Sequence, residues 1–257
     1  MRARALARWE RAAALVGLIC ALGCGTEDPG ANDQPGAGGA GGAPSDGGAG
    51  PELPTGRLLP FATGNAWEYR VTQDGAVTEK TTTVGDFGLV GGEGPFAELE
   101  AFHVVTKKGA NLADRTESWQ APDPDAPERV VRFRELSFGA QSGDLQLEEH
   151  WDPAKLHVDG SAERIFSGST WNESYEETKL EVGRTALRHT VTETWTVISD
   201  DEAVSVPAGD FEHAVHLRKT TNGKSKDYWY LRGVGKLKEV GTQTEELTDY
   251  TIAEDPP

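Results

Sequence analysis

Residues 204–250 read VSVPAGDFEHAVHLRKTTNGKSKDYWYLRGVGKLKEVGTQTEELTDY, and the spacing of turn residues and alternating side chains in this stretch decides the fold. Pro207 has its φ fixed for the second position of a turn and Gly209 suits the last, so the chain reverses between Val206 and Phe211. From His213 to Lys219 the residues alternate, with His213, Val215 and Leu217 on one face and Ala214, His216 and Arg218 on the other. That is the period of a strand. Asn222-Gly223 is a two-residue hairpin signal, because both residues tolerate positive φ, and Asp227 to Leu231 supplies the returning strand. Gly233-Val234-Gly235 interrupts this run before Lys236 to Val240 resumes it, and Leu247 to Ile252 is a last strand. Without Cβ atoms, the two glycines permit positive φ or a bulge that re-aims Tyr230 and Leu237, with Lys236 and Lys238 expected to face solvent.

The same period of two runs through the chain upstream. Trp67, Tyr69 and Val71 alternate with Glu68, Arg70 and Thr72, and a turn at Gln73-Asp74-Gly75 leads into Ala76 through Val84. Further strands are expected at Phe96 to Thr106, Arg115 to Gln120, Arg129 to Leu136, Leu145 to Trp151, Trp171 to Leu180 and Leu187 to Ser199. In the last of these, Leu187, Val191, Trp195 and Val197 share one face. Thr190, Thr192, Thr194 and Thr196 share the other, a polar β-branched surface suited to water. No segment carries the 3.6-residue period of an amphipathic helix. The expected fold over residues 56–257 is therefore all-β, with antiparallel strands in one strongly curved sheet or open β-barrel. A β-sandwich is the alternative. A weak internal echo links Phe61 to Trp67 with Phe166 to Trp171, each placing a Gly just before a strand that opens with Trp; duplication or repeated strand-opening chemistry would both explain it.

Val206-Pro-Ala-Gly-Asp-Phe211, the aromatic Tyr228-Trp-Tyr230 and Gly233-Val-Gly-Lys-Leu-Lys-Glu239 form a pattern that resembles the TapB-like extracytoplasmic domains of unknown function, often carried by bacterial lipoproteins. Gly64 to Trp67 and Gly168 to Trp171 match it as strand openings. The likeness is fullest over the last third of the chain. It implies an antiparallel β fold and an envelope location, and it supplies no catalytic residues.

Residues 1–23 have the parts of an export signal: a basic region with Arg2, Arg4, Arg8 and Arg11, an apolar run from Ala12 to Leu22, and Gly23 before Cys24. The apolar run is shorter than the roughly 20 residues that span a bilayer. Ala21-Leu22-Gly23-Cys24 resembles a lipobox, which implies diacylation of the Cys24 thiol and cleavage before it. An ordinary secretory signal with a chance cysteine remains the alternative. Cys20 and Cys24 are the only cysteines, so cleavage before Cys24 leaves a domain without free thiol or disulfide. Thiol catalysis, Cys-based zinc sites and iron–sulfur clusters are thereby excluded from the domain. From Gly25 to about Thr55 the chain is rich in Gly, Ala and Pro and has no apolar period, the composition of a disordered tether spanning roughly 30 Å.

The formal net charge is −17, and removing the signal with its four Arg and one Glu leaves −20. Nucleic acid and electrostatic adhesion to anionic lipid are poor partners for such a chain. Membrane attachment falls to the lipid on Cys24.

Motifs for chemistry are weak. No His-Glu-x-x-His or Gly-x-Ser-x-Gly occurs, and Ser142 is out of register for a nucleophile elbow. His213 and His216 are expected on opposite strand faces. His189 and Glu193 share a face but stand roughly 13 Å apart. Asp123-Pro-Asp125 and Asp200-Asp201-Glu202 read as solvated turns rather than Ca²⁺ loops, and with forty-two acidic residues no carboxylate pair stands out. No cofactor is expected. The aromatic residues Trp171, Trp195, Trp229, Tyr228 and Tyr230 are the candidate ligand-binding set, lining either a core or a concave sheet face that receives an apolar ligand or an envelope protein. The sequence thus points to a membrane-anchored, non-enzymatic binding lipoprotein of the bacterial envelope. A carboxylate hydrolase and a structural surface lipoprotein are the alternatives.

Overall fold

Strand β1 (Ala66–Gln73) turns into β2 (Ala76–Leu89) through Asp74 and Gly75, whose φ values of 50° and 81° are those of the tight turn that matches strand twist. Then come β3 (Glu100–Lys108), β4 (Arg115–Asp123), β5 (Ala126–Phe138), β6 (Leu145–Asp159), β7 (Thr170–Glu181) and β8 (Leu187–Val206). The quoted stretch forms β9 (Gly209–Thr221), β10 (Lys224–Leu231), β11 (Gly235–Val240) and β12 (Thr244–Thr251). Val206 pairs with Gly209 around Pro207, and Asn222-Gly223 turns with φ of 51° and 73°, as their residue types demand. This computed structural model describes residues 55–109 and 113–253. The export signal, Cys24 and the Gly-rich stretch up to residue 54 lie outside the described residues.

Each strand pairs antiparallel with its sequence neighbour, and β1 pairs with β12, so the curved sheet closes into a twelve-stranded up-and-down barrel. Closure leaves no sheet edge exposed. Along β7 and β8 the outer wall is polar: Asn172, Ser174, Glu176 and Thr178 on β7 stand beside Thr194, Thr192, Thr190 and Arg188 on β8. Such a wall belongs in water, since a barrel in lipid turns an apolar band outward.

One end of the barrel is sealed. Leu58, Leu59 and Phe61, ahead of β1, pack on Trp67, Val84, Val130, Val158, Trp195, Val197 and Leu217 in the main core. The N–H of Gly233 donates to Arg57 O (2.9 Å) and Arg232 donates to Gly56 O (3.1 Å), tying this segment to the β10–β11 turn, which Arg232 also joins to the β6–β7 turn at Gly160 O (2.8 Å). A smaller core of Val90, Ala101, Ala121, Val131 and Phe133 lies under the β2–β3 loop, where Phe96 packs on the Phe133 ring.

Differences from the sequence reading have local causes. Phe96 to Leu99 folds into that loop instead of opening β3, which begins at Glu100. β6 and β8 run on to Asp159 and Val206, beyond the expected ends, because register shifts break their alternation. Lys236 does not face solvent. The β10–β11 register slips between Trp229 and Tyr230, leaving Leu237 as an extra residue, so Lys236 and Leu237 both point inward while Lys238 stays outside.

The internal echo has a structural counterpart. Gly64 N–H donates to Val84 O, and Val84 N–H returns to Asn65 O; six strands later Gly168 donates to Val197 O and Val197 to Ser169 O. Both glycines have positive φ, 96° and 85°. Similar backbone chemistry therefore opens β1 and β7.

Candidate functional site in the barrel lumen

Away from the sealed end the lumen opens. A cavity of about 410 Å³ shares Lys155, Lys219 and Lys226 with a second of about 370 Å³, both within the range of small-molecule sites. The mouth lies at the turns from odd to even strands, since Lys108 at the end of β3, Thr116 at the start of β4, Asn222 and Gln243 are among the lining residues.

The larger cavity is lined by Lys80, Lys108, Arg132, Lys155, Lys219, Lys226 and Lys236, seven cations against Glu135, Glu239 and Glu245. Several of these cations are direct cross-strand neighbours: Lys80 with Lys108, Arg132 with Lys155, and Lys219 with Lys226. Like charges directly opposite one another destabilise a sheet. In a chain of net charge −17, three such pairs on one inner wall concentrate positive charge where the rest of the molecule is acidic.

Part of this charge is matched internally. The Lys236 ammonium donates to Glu239 Oε2 (2.7 Å) and Glu245 Oε2 (2.6 Å), Lys80 also reaches Glu245, and Lys226 donates to Glu239 Oε1 (2.9 Å). Burial works against the charge on Lys236, but the two carboxylates outweigh it and hold its pKa well above the ordinary value. Burial likewise opposes ionisation of Glu239, and Lys236 and Lys226 reverse it, so Glu239 stays far below the usual carboxylate range.

Other lumen groups are less well compensated. Burial, with repulsion from Lys236, brings Lys80 down to about 8. Burial brings Lys219 down to about 8 as well, although Glu193 Oε1 accepts from it at 3.4 Å. Lys155 has no carboxylate within ion-pair distance among the described residues and lies over the Trp151 and Tyr175 rings, 4.9 and 5.5 Å from their centroids. Burial and then Arg132 lower its pKa. His157, hydrogen-bonded to Gln120 Oε1 (2.6 Å), is pushed well below its ordinary value by burial and held neutral.

The expected aromatic set divides. Trp171, Trp195, Tyr228 and Tyr230 form an inner ladder with successive ring centroids 6.2, 6.0 and 6.2 Å apart. Tyr228 and Tyr230 line the cavity; Trp171 and Trp195 lie in the core, with indole N–H groups that have no acceptor. Trp229 is on the outer face, stacked on His216 at 4.1 Å and donating to Glu202 Oε1 (2.9 Å), which removes it from any lumen site. It alternates with its neighbours because successive strand residues point opposite ways. His189 does share a wall with Glu193, but its partner is Glu177 on the adjacent strand, at 3.1 Å. His213 pairs with Asp201, and His216 lies between Glu202 and Asp227. Among the described residues no His, Cys, Asp and Glu group has metal-site geometry.

No family model matches this chain, and no curated protein matches it. The resemblance to TapB-like domains therefore stays a resemblance. Among solved structures, one from Bacteroides fragilis, assigned as an exported protein with a YmcC-like fold, is 11% identical, with a TM-score of 0.47 over 77% of this chain and 100% of that one. A second, from Parabacteroides distasonis and assigned as a lipoprotein, is 9% identical, with a TM-score of 0.40 over 78% of this chain and 100% of that one. Neither likeness carries a statement about what this chain does.

The inward lysines are the residues the sequence reading missed. Net charge hid them, because it averages an acidic exterior with a basic interior. Face by face the signal was present: Lys80 is in phase with Thr82 and Val84, Lys219 with Val215 and Leu217, and Lys226 with Tyr228 and Tyr230. A lysine on the apolar face of a strand is the pattern to look for.

Proposed function

We propose that this chain is a lipid-anchored bacterial envelope protein whose barrel binds a small anion in its lumen without converting it. The observation that carries the binding part is the set of three inward cross-strand cation pairs in a chain of net charge −17. An anion seated among Lys155, Lys219 and Lys226 would gain charge-assisted hydrogen bonds in a partly desolvated site and relieve the repulsion between neighbouring cations. The anchoring part rests on the Arg-rich start, the short apolar run and Gly23-Cys24. Leu58, Leu59 and Phe61 belong to the buried cluster at the sealed end of the barrel, opposite the mouth.

The test is a thermal melt of the protein with citrate and, separately, spermidine. A ligand at a hundredfold excess over its Kd stabilises by about 2.7 kcal/mol, a rise of roughly 5 to 10 °C for a barrel of this size. Citrate should produce such a rise and spermidine should not. Stabilisation by spermidine alone would overturn the reading.

A further inference from the structure

Two lumen groups are incompletely paired, and both line the same cavity. Lys155 lines the second cavity without an ion pair among the described residues, its ammonium resting against the Trp151 and Tyr175 rings. On the same wall Glu193 is 2% exposed. Its Oε1 is used twice, accepting from Tyr175 Oη (2.8 Å) and from Lys219 Nζ (3.4 Å), while Oε2 is buried with no hydrogen-bond partner. A buried carboxylate oxygen without a donor is costly, and so is a desolvated ammonium without an acceptor. One ligand can satisfy both only if it carries an acid group and, elsewhere on the molecule, a hydrogen-bond donor. A plain fatty acid or an unsubstituted carboxylate would meet Lys155 and leave Glu193 Oε2 unpaired.

We propose that the lumen between β6 and β9 selects small organic acids that also carry a hydroxyl or amino donor, with the acid group on Lys155 and the donor on Oε2 of Glu193. This rests on the anion-binding reading and narrows it to one ligand class. Glu193 is a specificity residue here, because it rejects acids lacking the donor more than it adds general affinity. Tyr175 fixes its orientation by occupying Oε1, and the direct pairing of Lys219 with Lys226 across β9 and β10 keeps positive charge beside the acid group.

The experiment is calorimetric titration of the protein with gluconate and with hexanoate, two six-carbon monoacids that differ in their hydroxyl donors. It is run on the wild type, Glu193→Gln and Lys155→Met. In Glu193→Gln the amide oxygen is retained by Tyr175 and Lys219, so an NH2 group stands where Oε2 was and offers a donor in place of an acceptor. Gluconate should bind the wild type at least about tenfold more tightly than hexanoate, the scale of one hydrogen bond to a charged group. Glu193→Gln should erase that gap while leaving hexanoate affinity within about twofold of the wild type. Lys155→Met should weaken both acids. Equal affinity of the two acids for the wild type, or an equal loss of both in Glu193→Gln, overturns the donor selectivity and leaves anion binding standing. Affinity for both acids that survives Lys155→Met overturns anion binding at this site as well.

Discussion

Gly235 concentrates two costs at one backbone position, and replacing it with Ala separates the account from a generic loop effect. Its φ is 112°, in the range that side-chain-bearing residues rarely adopt, which costs about 1 to 3 kcal/mol. A Cβ there would stand 2.7 Å from Nε1 of Trp67, which something must vacate. That nitrogen donates to Val234 O at 2.6 Å, and Trp67 is 2% exposed, so moving the indole strands a buried donor and acceptor for about 1 to 3 kcal/mol more. Gly235→Ala should therefore lose about 2 to 6 kcal/mol, roughly 5 to 20 °C of melting temperature for a domain of this size. Gly223→Ala is the control: its φ is 73° but nothing lies within 4 Å of the added methyl, so only strain of about 1 kcal/mol applies. The assay is a urea midpoint series on both variants, repeated in a Trp67→Phe background, where part of the Gly235 cost should vanish because the clashing nitrogen is gone. Equal costs at Gly235 and Gly223, or a Gly235 cost unchanged by Trp67→Phe, would refute the reasoning.

Other expectations follow from the lumen and the N-terminus. Lys236→Met removes the ammonium that bridges Glu239 and Glu245 and should destabilise by about 3 to 5 kcal/mol in the same urea assay, against under about 0.5 for Lys238→Met outside. With pH, Lys80 and Lys219 release protons near 8 in the folded state but near 10.5 when unfolded, so the unfolded chain binds more protons in that window and stability rises with pH. Above about 10 the sign reverses, because burial raises Tyr69, Tyr175, Tyr228 and Tyr230 and the folded state keeps protons that the unfolded chain loses. Melting midpoints should thus climb from pH 8 toward 10 and then fall, while citrate affinity declines over the same climb as the lumen loses charge; the two measured together check the assignment. Cys24→Ser should move the protein from the membrane fraction to the soluble one and lack the acyl mass expected on the wild type.

The fold was legible because its determinants are local. Asp74-Gly75 and Asn222-Gly223 set tight turns, Pro207 and Gly209 set another, and alternation marked all twelve strands. Whether the sheet would close was not legible, since pairing of β1 with β12 joins residues such as Trp67 and Tyr250 across nearly the whole chain. Bulges were the second blind spot. One extra residue at Leu237 turned Lys236 from an expected surface residue into the centre of a buried cluster, and nothing in the period of two announces which residue is extra. The site was half legible. Tyr228 and Tyr230 do line the lumen, yet its character is set by Lys80, Lys155, Lys219 and Lys226, whose common location appears only when separate strands are brought around the barrel. Single-strand phase showed that three of these lysines share faces with apolar residues; it could not show that they share a cavity.

The most direct test of the central claim is citrate affinity by calorimetry at pH 7, compared among the wild type, Lys155→Met, Lys219→Met and the outward-facing Lys238→Met. Each lumen substitution removes a charge-assisted contact and should weaken citrate by about tenfold or more, while Lys238→Met should match the wild type. Citrate binding that is insensitive to Lys155 and Lys219, or that falls equally with Lys238, would contradict an anion site inside the barrel.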